Sequence, residues 1–442
     1  MRVYLQLVMG VILSWSLSAQ ATPKIENWTL DNGVRVFYVH APQLPMVDVS
    51  VAFDAGAARD GEHFGLALMT NGMLAEGAGD LDADTISERF EGVGANFGNG
   101  ARRDMSVFSL RSLTDPPLLK TAVDTFTTVL NAPTFPQDAF ERERNRLLVE
   151  LTQKTQDPGE IANTEFFKAV YGAHPYAHEP EGEIAPVKAL TRDQLVKFYN
   201  EFYVGRNAWV VVVGALDRSQ TEKLVKKIVG DLATGLAPPK LPGLTTTDSA
   251  VEKFIDFPSA QSHVLVGQPA IRRDDADFFP LYVGNHVLGG GGLVSILADE
   301  IREKRGYAYS TYSSLSPLRA EGPYVIGLQT RNDQVKDALK VMREVVQKFV
   351  SSGPTEQQLD DAKRNLTGGF ALRIASNKNI ADQLANMAFY GLPMDYLDTY
   401  INHINAVTTA QVRDAFQRRI QPARMVTVVV GATAENGTKR TP

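Results

Sequence analysis

His174 and His178 are the most closely spaced histidines in the sequence, and imidazole is a common zinc ligand. On a helix, this spacing would place both side chains on one face, within reach of a single metal ion. Pro175 lies between them, however, and proline breaks a helix. A structural loop is therefore the favoured interpretation of residues 171–179, with metal binding as the alternative.

Four consecutive glycines, from Gly289 to Gly292, precede a helix-like segment, as glycines do in phosphate-binding loops. The common phosphate loop also requires Gly-Lys followed by Ser or Thr, and that sequence does not follow here. The strand and loop context of a dinucleotide site is missing as well. The glycines therefore predict a tight turn with close backbone approach, and nucleotide binding is disfavoured.

Length and composition indicate a globular protein with two or more cores, because 44% of the 442 residues are hydrophobic and 22% are charged. The net charge of −6 and the pI near 5.7 leave no basic stripe for a phosphate backbone. Nucleic acid is therefore excluded as a partner, and peptides or proteins are expected. The absence of cysteine excludes disulfides and a thiol nucleophile.

The start of the chain has the pattern of a secretory signal peptide. An apolar run over residues 3–15 ends at Ala19-Gln20-Ala21, a small-x-small cleavage site. The run is too short to favour a membrane span. We expect a cleaved signal peptide at residues 1–21 and a periplasmic mature chain without a membrane span, with a retained membrane anchor as the alternative.

An internal repeat indicates that one fold occurs twice. Each copy begins with a capping box, in which a threonine N-cap is followed three residues later by glutamine, and flanking apolar residues can form a hydrophobic staple. The two cap pairs are Thr191 with Gln194 and Thr408 with Gln411. A helix-like run and a valine-rich buried strand follow in both copies, ending at Gly214 and Gly431.

Other segments extend the repeat and define its limits. Strands are predicted within residues 47–53, 105–113, 263–266 and 324–328, of which the first two are half-buried, and helices at 84–90 and from Leu293 onward. Residues 235–243 are rich in proline and glycine and mark a boundary. We expect an N-terminal domain at 24–235, a linker at 236–249, a C-terminal domain at 250–434 and a disordered tail at 435–442. The fold class is α+β, with two duplicated α/β-sandwich-like domains facing each other.

Residues 65–74 read Gly-Leu-Ala-Leu-Met-Thr-Asn-Gly-Met-Leu and resemble the Gly-Leu-Ala-His-x-x-Glu-His-Met-Leu segment of the pitrilysin/insulinase family of zinc metallopeptidases. In that family the two histidines bind zinc and the glutamate activates water. The corresponding positions hold Leu68, Asn71 and Gly72, and none of these residues can supply that chemistry. The resemblance covers nearly all of the mature chain and implies a metallopeptidase-like fold whose zinc site is degenerate and binds no metal.

The third zinc ligand of the family is a glutamate in a later helix that ends near Asp-x-Pro. Alignment of residues 144–158 with that helix places Val149 at the ligand position. Glu150 is the next residue, about 100° further around the helix, and a shift of one residue would place it at the ligand position instead. One carboxylate cannot replace two missing histidines.

Residues 285–310 resemble the family's glycine-rich turn, helix and Ile-Arg-Glu-Lys-x-Gly-x-Ala-Tyr-Ser strand entry. In the family this arginine and tyrosine belong to the half without zinc and reach into the active site of the other half; they correspond to Arg302 and Tyr309. Such donors stabilise the negative charge that develops on a cleaved peptide carbonyl. Without the resemblance, they would be a surface helix charge and a half-buried strand residue. The buried stripe of this helix is predicted at Leu293, Ile296, Leu297 and Ile301.

Asn96, Phe97 and Gly98 lie in a segment that resembles the family's edge strand, which pairs with the backbone of the substrate. An exposed strand edge can recruit an extended peptide. Arg102, Arg103 and Asp104 follow this segment, and they could equally protect a strand edge against aggregation. Both interpretations remain open at this stage.

The resemblance implies a non-catalytic subunit of a heteromeric zinc metallopeptidase, similar to the non-catalytic subunit of mitochondrial processing peptidase. Zinc and its ligands would come from a paralogous partner, while this chain would supply Arg302, Tyr309 and part of a chamber for unfolded or short peptides. A peptide-binding or scaffold protein without a role in hydrolysis is the alternative. Peptidase activity of this chain alone is not expected, because its zinc positions lack ligands.

Overall fold

The computed structural model describes residues 24–244 and 250–432. The predicted signal peptide at residues 1–21, residues 245–249 of the predicted linker and the predicted tail at 435–442 lie outside these segments. Among the helices of the two described segments, none combines the length and the apolar character needed to cross a membrane.

Helices and strands are distributed over both halves of the described chain. The strands are β1 (Ile25–Thr29), β2 (Arg35–His40), β3 (Met46–Phe53), β4 (Gly77–Ala78), β5 (Leu81–Asp82), β6 (Asn96–Ala101), β7 (Ser106–Leu113), β8 (Ala208–Gly214), β9 (Glu252–Asp256), β10 (Gln261–Ile271), β11 (Ala308–Leu315), β12 (Gly322–Arg331) and β13 (Val426–Gly431). The helices of the first half are α1 (Leu66–Met73), α2 (Ala83–Glu91), α3 (Pro116–Asn131), α4 (Gln137–Lys154), α5 (Pro158–Tyr171), α6 (Ile184–Ala189), α7 (Arg192–Phe202) and α8 (Arg218–Val229). Those of the second half are α9 (Phe278–Asn285), α10 (Val335–Ser352), α11 (Glu356–Gly368), α12 (Phe370–Arg373), α13 (Asn377–Tyr390), α14 (Tyr396–Ala406) and α15 (Thr409–Arg419).

The two large sheets share one topology. The first has the strand order β1-β2-β8-β3-β7-β6 and the second β11-β12-β10-β13-β9. In each sheet one pair is parallel, β2 with β8 and β9 with β13, and the other pairs are antiparallel. Strands β2-β8-β3-β7-β6 therefore match β9-β13-β10-β12-β11 one for one, which confirms the internal repeat and the α+β class. The exact domain boundaries remain predictions.

The local signals of the repeat form as predicted. Both capping boxes are present, at the start of α7 with Thr191 and Gln194 and at the start of α15 with Thr408 and Gln411. The four staple residues are all buried: Leu190, Leu195, Val407 and Val412. The valine-rich strands β8 and β13 are buried along their whole length.

Each half contributes one helix to the sheet of the other half. Helix α5 packs on β10 and β13, and a Cβ at Gly267 would lie only 2.8 Å from Cζ of Phe166 on that helix. Helix α13 packs on β3 and β8, where the ring centroids of Phe389 and Trp209 are 5.0 Å apart. The periodicity of the sequence does not predict this reciprocal exchange of helices.

The exchange corrects the prediction for β3, which was expected to be half-buried. Its odd-numbered residues Val47, Val49 and Val51 face the core of their own half. The alternate residues point to the opposite face of the sheet, yet Ser50 and Ala52 are also buried, because α13 covers that face. Strand β7, by contrast, alternates between buried and more exposed residues as predicted.

Asp104 joins the two halves through a buried carboxylate that is 2% exposed. Its Oδ1 accepts a hydrogen bond of 2.5 Å from the hydroxyl of Tyr176. Its Oδ2 accepts one from the backbone N–H of Arg319 at 2.8 Å and one from the hydroxyl of Tyr390 at 3.1 Å. Burial raises the pKa of Asp104, and these three donors favour its charged form.

Asp54 holds a second ionic contact between the halves. The guanidinium of Arg319 donates to its Oδ2 at 2.7 Å and to the carbonyl of Phe389 at 3.0 Å. Arg59 donates to both carboxylate oxygens of Asp54, at 2.8 and 2.7 Å. Arg319 of the second half is thereby attached to the Asp54–Arg59 ion pair of the first half.

Asp277 connects helices α9 and α15 within the second half. Its carboxylate accepts two hydrogen bonds from Arg418, both of 2.7 Å, and one from Arg419 at 2.7 Å. The two hydrogen bonds from Arg418, together with the one from Arg419, hold the pKa of Asp277 below its usual value.

We expect Asp104→Ala to lower the free energy of unfolding by about 3–5 kcal/mol, because it leaves buried donors from both halves without an acceptor. Urea unfolding followed by circular dichroism measures the change. Asp361→Ala is the matched control and should leave the midpoint unchanged, since Asp361 is exposed and its partners in the described part of the chain, Gln357 and Arg364, belong to its own helix. A wild-type midpoint for Asp104→Ala would contradict the role of this carboxylate.

We expect Asp277→Asn to destabilise the protein by about 1 kcal/mol at pH 7. Because the pKa of Asp277 is depressed in the folded state, its stabilising effect is present above the unfolded value near ~3.9 and is lost as the pH falls through the folded pKa. The difference from wild type should therefore shrink below about pH 4 in urea unfolding experiments. Asp414→Asn removes the exposed partner of the same Arg418 and should cost less stability at pH 7 than Asp277→Asn, because exposed ion pairs contribute little; equal losses in the two variants would refute this assignment.

Candidate functional site

Helix α1 occupies the position expected for the zinc-binding helix, and it begins after Gly65, whose φ of 94° is in the left-handed region. Leu68 is half-buried, Asn71 is 1% exposed and Gly72 is exposed. A Cβ added at Gly72 would meet nothing within 4 Å. The position of the second histidine therefore opens into free space, and no other side chain has filled it.

Asp60 fixes the start of α1. Its carboxylate accepts hydrogen bonds from the backbone N–H groups of Gly65 at 2.8 Å and of Ala67 at 2.7 Å. His178 Nε2 lies 3.2 Å from Oδ2 of the same carboxylate, and its ring stacks on Phe64 with 4.1 Å between centroids. Burial raises the pKa of Asp60. His178 thus has a structural role, as the favoured interpretation of its loop predicts.

His174 is also held by structural contacts. Its Nδ1 accepts a hydrogen bond from the backbone N–H of Tyr176 at 3.1 Å, and its Nε2 lies 3.0 Å from the carbonyl of Pro242. Burial lowers the pKa of His174. Over residues 24–244 and 250–432, no group of three or more His, Cys, Asp or Glu side chains is arranged to hold a metal ion.

Asn71 occupies the position of the family's general base, and its neutral amide cannot accept a proton from water at physiological pH. The backbone carbonyl of Asn71 accepts a hydrogen bond of 2.9 Å from the side chain of Asn99 in β6. Its own Nδ2 and the hydroxyl of Tyr203 are buried without hydrogen-bond partners in the described part of the chain. Helix α1 is therefore attached to the edge strand but carries no catalytic group at this position.

The third ligand position lies on α4, whose buried side contains Leu147 and Leu151. With about 100° per residue, Glu150 lies about 60° from Leu147 around the helix axis and Val149 about 160° from it. Val149 is 58% exposed and points away from the body of the domain. Glu150 is also exposed, but it lies nearer than Val149 to the buried side of α4. Because α4 packs against α1, a ligand shared with α1 is better placed at Glu150.

Strand β6 forms one edge of the first sheet and pairs only with β7 there. Asn96 is exposed. Phe97 turns inward, where its ring stacks on Phe90 with 5.0 Å between centroids. A Cβ at Gly98 would lie 2.9 Å from Oγ of Ser109. The outer edge of β6 thus presents main-chain groups on which an extended peptide could pair.

One interpretation of residues 102–104 was that their charges protect the edge of β6 against aggregation. Only Arg102 of these three residues is exposed, so this interpretation applies at most to Arg102. Arg103 is 9% exposed and donates to the carbonyls of Tyr176 at 2.7 Å and His178 at 2.5 Å and to the carboxylate of Glu179 at 3.1 Å. Asp104 lies in the interface between the halves. These two charges are structural, and their partners are too distant in sequence to be recognised from local pattern.

Arg302 and Tyr309 meet at the surface of the second half. The Cζ atom of Arg302 lies 5.1 Å from the ring centroid of Tyr309, a cation–π distance. Arg302 belongs to a π-helical turn at Ala298–Glu303, and Tyr309 lies on β11, one of the two edge strands of the second sheet. Tyr309 is 80% exposed. The structure therefore brings the predicted pair together and leaves the tyrosine accessible.

The glycine-rich turn before this helix packs closely on β11. A Cβ at Gly289 would lie 2.4 Å from the backbone nitrogen of Ser313, and one at Gly290 would lie 2.7 Å from Nδ2 of Asn285. Close backbone approach therefore explains these glycines, as predicted. The prediction of Leu293 in the buried stripe was wrong: Leu293 is 65% exposed, because it lies in a 3-10 turn after Gly292, before the helix begins.

Family comparisons agree with this geometry. Residues 35–181 match the model of the insulinase family, peptidase family M16, and residues 189–366 match the model of the M16 inactive domain. A crystal structure of a peptidase M16 inactive domain from Pseudomonas fluorescens is 38% identical, with a TM-score of 0.90 over 93% of this chain and 98% of that one. The chain belongs to the M16 peptidase family. Its residues 189–366 are of the type that the family model describes as inactive.

Some relatives of this chain are described as non-peptidase homologues and others as zinc proteases. The non-peptidase homologue YmxG of Helicobacter pylori is 26% identical over 411 residues, covering 92% of this chain and 93% of the relative. An uncharacterized zinc protease of Streptomyces coelicolor is 25% identical over 424 residues, covering 94% and 91%. The periplasmic protease PqqL of Escherichia coli shares the fold, with a TM-score of 0.75 at 16% identity over 95% of this chain and 49% of that one.

We expect the double variant L68H/G72H to bind one zinc ion, because two histidines one helical turn apart would join Glu150 as a third ligand. Isothermal titration with zinc measures the stoichiometry, with the unsubstituted chain as reference. Adding E150Q to the double variant should abolish binding, and adding V149E should leave it unchanged. Zinc binding that appears only after V149E is added would instead support the alignment at Val149.

Proposed function

We propose that this chain is a non-catalytic subunit of a periplasmic, heteromeric zinc metallopeptidase of the M16 family. The observation that carries the proposal is the combination of two features. The zinc positions Leu68 and Gly72 hold no ligands, whereas Arg302 and Tyr309 form an accessible pair at the surface. In this proposal a zinc-bearing paralogous subunit supplies the metal and the general base, and this chain completes the site.

The chemistry of the pair suits a position beside the scissile bond. Hydrolysis of a peptide places negative charge on the carbonyl oxygen in the transition state, and donors directed at that oxygen lower the barrier. The exposed hydroxyl of Tyr309 and the guanidinium of Arg302 are such donors. A subunit whose sheet edge carries them could face the zinc of a partner without any rearrangement of its own core.

The chain length of PqqL, a protease that shares this fold, supports a two-chain assembly. The present chain corresponds to 49% of the PqqL chain, so a protease of that length contains about two units of this size. Two separate chains, one with zinc and one without, would give the same number of units. This chain would contribute zinc-free chamber walls, and the predicted signal peptide would direct it to the periplasm.

The alternative function is peptide binding or scaffolding without a part in hydrolysis. Its supporting observation is the free edge of β6, which can pair with an extended peptide in the absence of any catalytic group. The Helicobacter pylori relative described as a non-peptidase homologue agrees with this alternative. The two functions differ in whether this chain increases the activity of a zinc-bearing paralogue.

The test compares hydrolysis of unstructured peptides by this chain, by the zinc-bearing paralogue and by their mixture. We expect activity in the mixture alone, and we expect Tyr309→Phe or Arg302→Ala to lower kcat of the mixture by about 10²-fold or more. Arg305→Ala is the matched control, because Arg305 is on the same segment and pairs with Glu300, whereas Arg302 pairs with Glu303 and also lies over the ring of Tyr309. It should leave the activity unchanged.

Size-exclusion chromatography of each mixture shows whether the complex persists. Loss of activity with an intact complex supports a role in the chemistry, whereas loss of the complex would restrict the pair to assembly. Full activity of the paralogue alone, with no gain on mixing, would leave the binding or scaffold function.

A further inference from the structure

We infer that the cavity between the two halves binds the C-terminal end of a short peptide, with Arg102 holding the free carboxylate and an apolar wall holding the last side chain. This inference rests on the proposed peptide-binding function and specifies the class of ligand. The cavity has a volume of about 400 Å³, within the range of sites that enclose small ligands.

The helix exchange creates this cavity. Helix α5 covers β10 and β13, and α13 covers β3 and β8. The cavity lies between these two helices, which contribute Phe167 and Tyr390 to its wall. Its walls come from the β6–β7 turn with Arg102, from β11 with Tyr312 and Ser314, from α5 with Asn163 and from α13 with Asn386.

Charge in the cavity favours a carboxylate ligand. Arg102 is exposed, and its guanidinium has no hydrogen-bond or ion-pair partner in residues 24–244 and 250–432. Arg103 is occupied by Glu179 and two carbonyls. Asp104 accepts three hydrogen bonds. The uncommitted charge is therefore a guanidinium, which binds carboxylates through two parallel hydrogen bonds.

The remaining wall is suited to an apolar side chain. Phe167, Leu265 and Val325 line the cavity and are only half-buried. The ring of Tyr312 lies over Gly327, where a Cβ would be 2.5 Å from its Cζ atom, and Tyr312 remains 46% exposed. Covering such surface with an aliphatic side chain removes apolar area from water and therefore favours binding.

The neutral polar groups provide orientation rather than charge. Asn163 and Ser316 also line the cavity, and the hydroxyls of Ser314 and Ser316 lie 3.3 Å apart. These side chains can bond to the main chain of the final residues. Because Arg102 directly follows β6, the residues preceding the bound terminus lie close to the free edge of that strand.

The test measures binding of fluorescent pentapeptides to this chain alone, by fluorescence polarisation. The probes are a peptide ending in leucine as the free acid, the same peptide as the C-terminal amide, and a free acid ending in glycine. We expect the leucine acid to bind about tenfold or more tightly than its amide, because a charge-assisted bond is lost in the amide. It should also bind more tightly than the glycine acid.

Arg102→Gln should reduce binding of the leucine acid to the level of the amide and leave the amide unchanged. Arg364→Gln, a surface arginine outside the cavity, is the matched control and should preserve the difference. Ser314→Trp should fill the cavity and weaken binding of the leucine acid, with an unchanged thermal unfolding midpoint as the check on folding. Equal binding of acid and amide, a difference that survives Arg102→Gln, or no binding of any probe would overturn the inference.

The same variants separate this inference from the proposed function. Hydrolysis that requires the mixture of subunits, together with equal binding of acid and amide, would overturn the carboxylate pocket and leave the composite peptidase standing. A carboxylate preference that depends on Arg102, without any gain in hydrolysis on mixing, would support the pocket and refute the composite peptidase.

Discussion

The reciprocal exchange of α5 and α13 is the constraint on which the rest of this structure depends. Strands β8 and β13 are buried on both faces, and in each case the second face is covered by a helix from the other half. Neither core is therefore complete without the other half of the chain. Asp104 connects the two exchanged helices. Its three donors come from the loop after α5, from the end of α13 and from the segment between β11 and β12.

The same exchange explains why the candidate binding residues lie on the edge strands of the two sheets. Each exchanged helix covers the inner strands of the opposite sheet, so the outer strands β6 and β11 retain an unpaired edge and a partly uncovered face. The peptide-binding candidates Asn96 and Gly98 lie on the first of these strands, and Tyr309 lies on the second. The cavity containing Arg102 is between them. Of these two edge strands, only β11 carries a tyrosine that lies against an arginine, Tyr309 with Arg302.

The sequence predicted features whose causes are local. Capping boxes, buried valine strands and the segment containing Arg302 and Tyr309 all follow from short-range spacing or from a long motif. The helix exchange leaves no periodic signal, because an apolar helix face has the same pattern whichever sheet it covers. Asp60 could not be recognised for a related reason: its partner His178 is far along the chain. Leu293 was misplaced because a 3-10 turn interrupts the helical period.

Helix α1 shows how the frame of a zinc site can persist without its ligands. Its buried residues Leu66, Ala67, Met69 and Met73 pack into the core, and its start is fixed by Asp60. Asn99 attaches it to β6. None of these residues occupies a position that would bind zinc, and the exposed position Gly72 contributes no packing. Loss of the ligands therefore costs the scaffold little, and the edge strand stays in place. Under the proposed function, this independence of scaffold and metal chemistry would allow one subunit to present a surface to the peptide while another supplies the zinc.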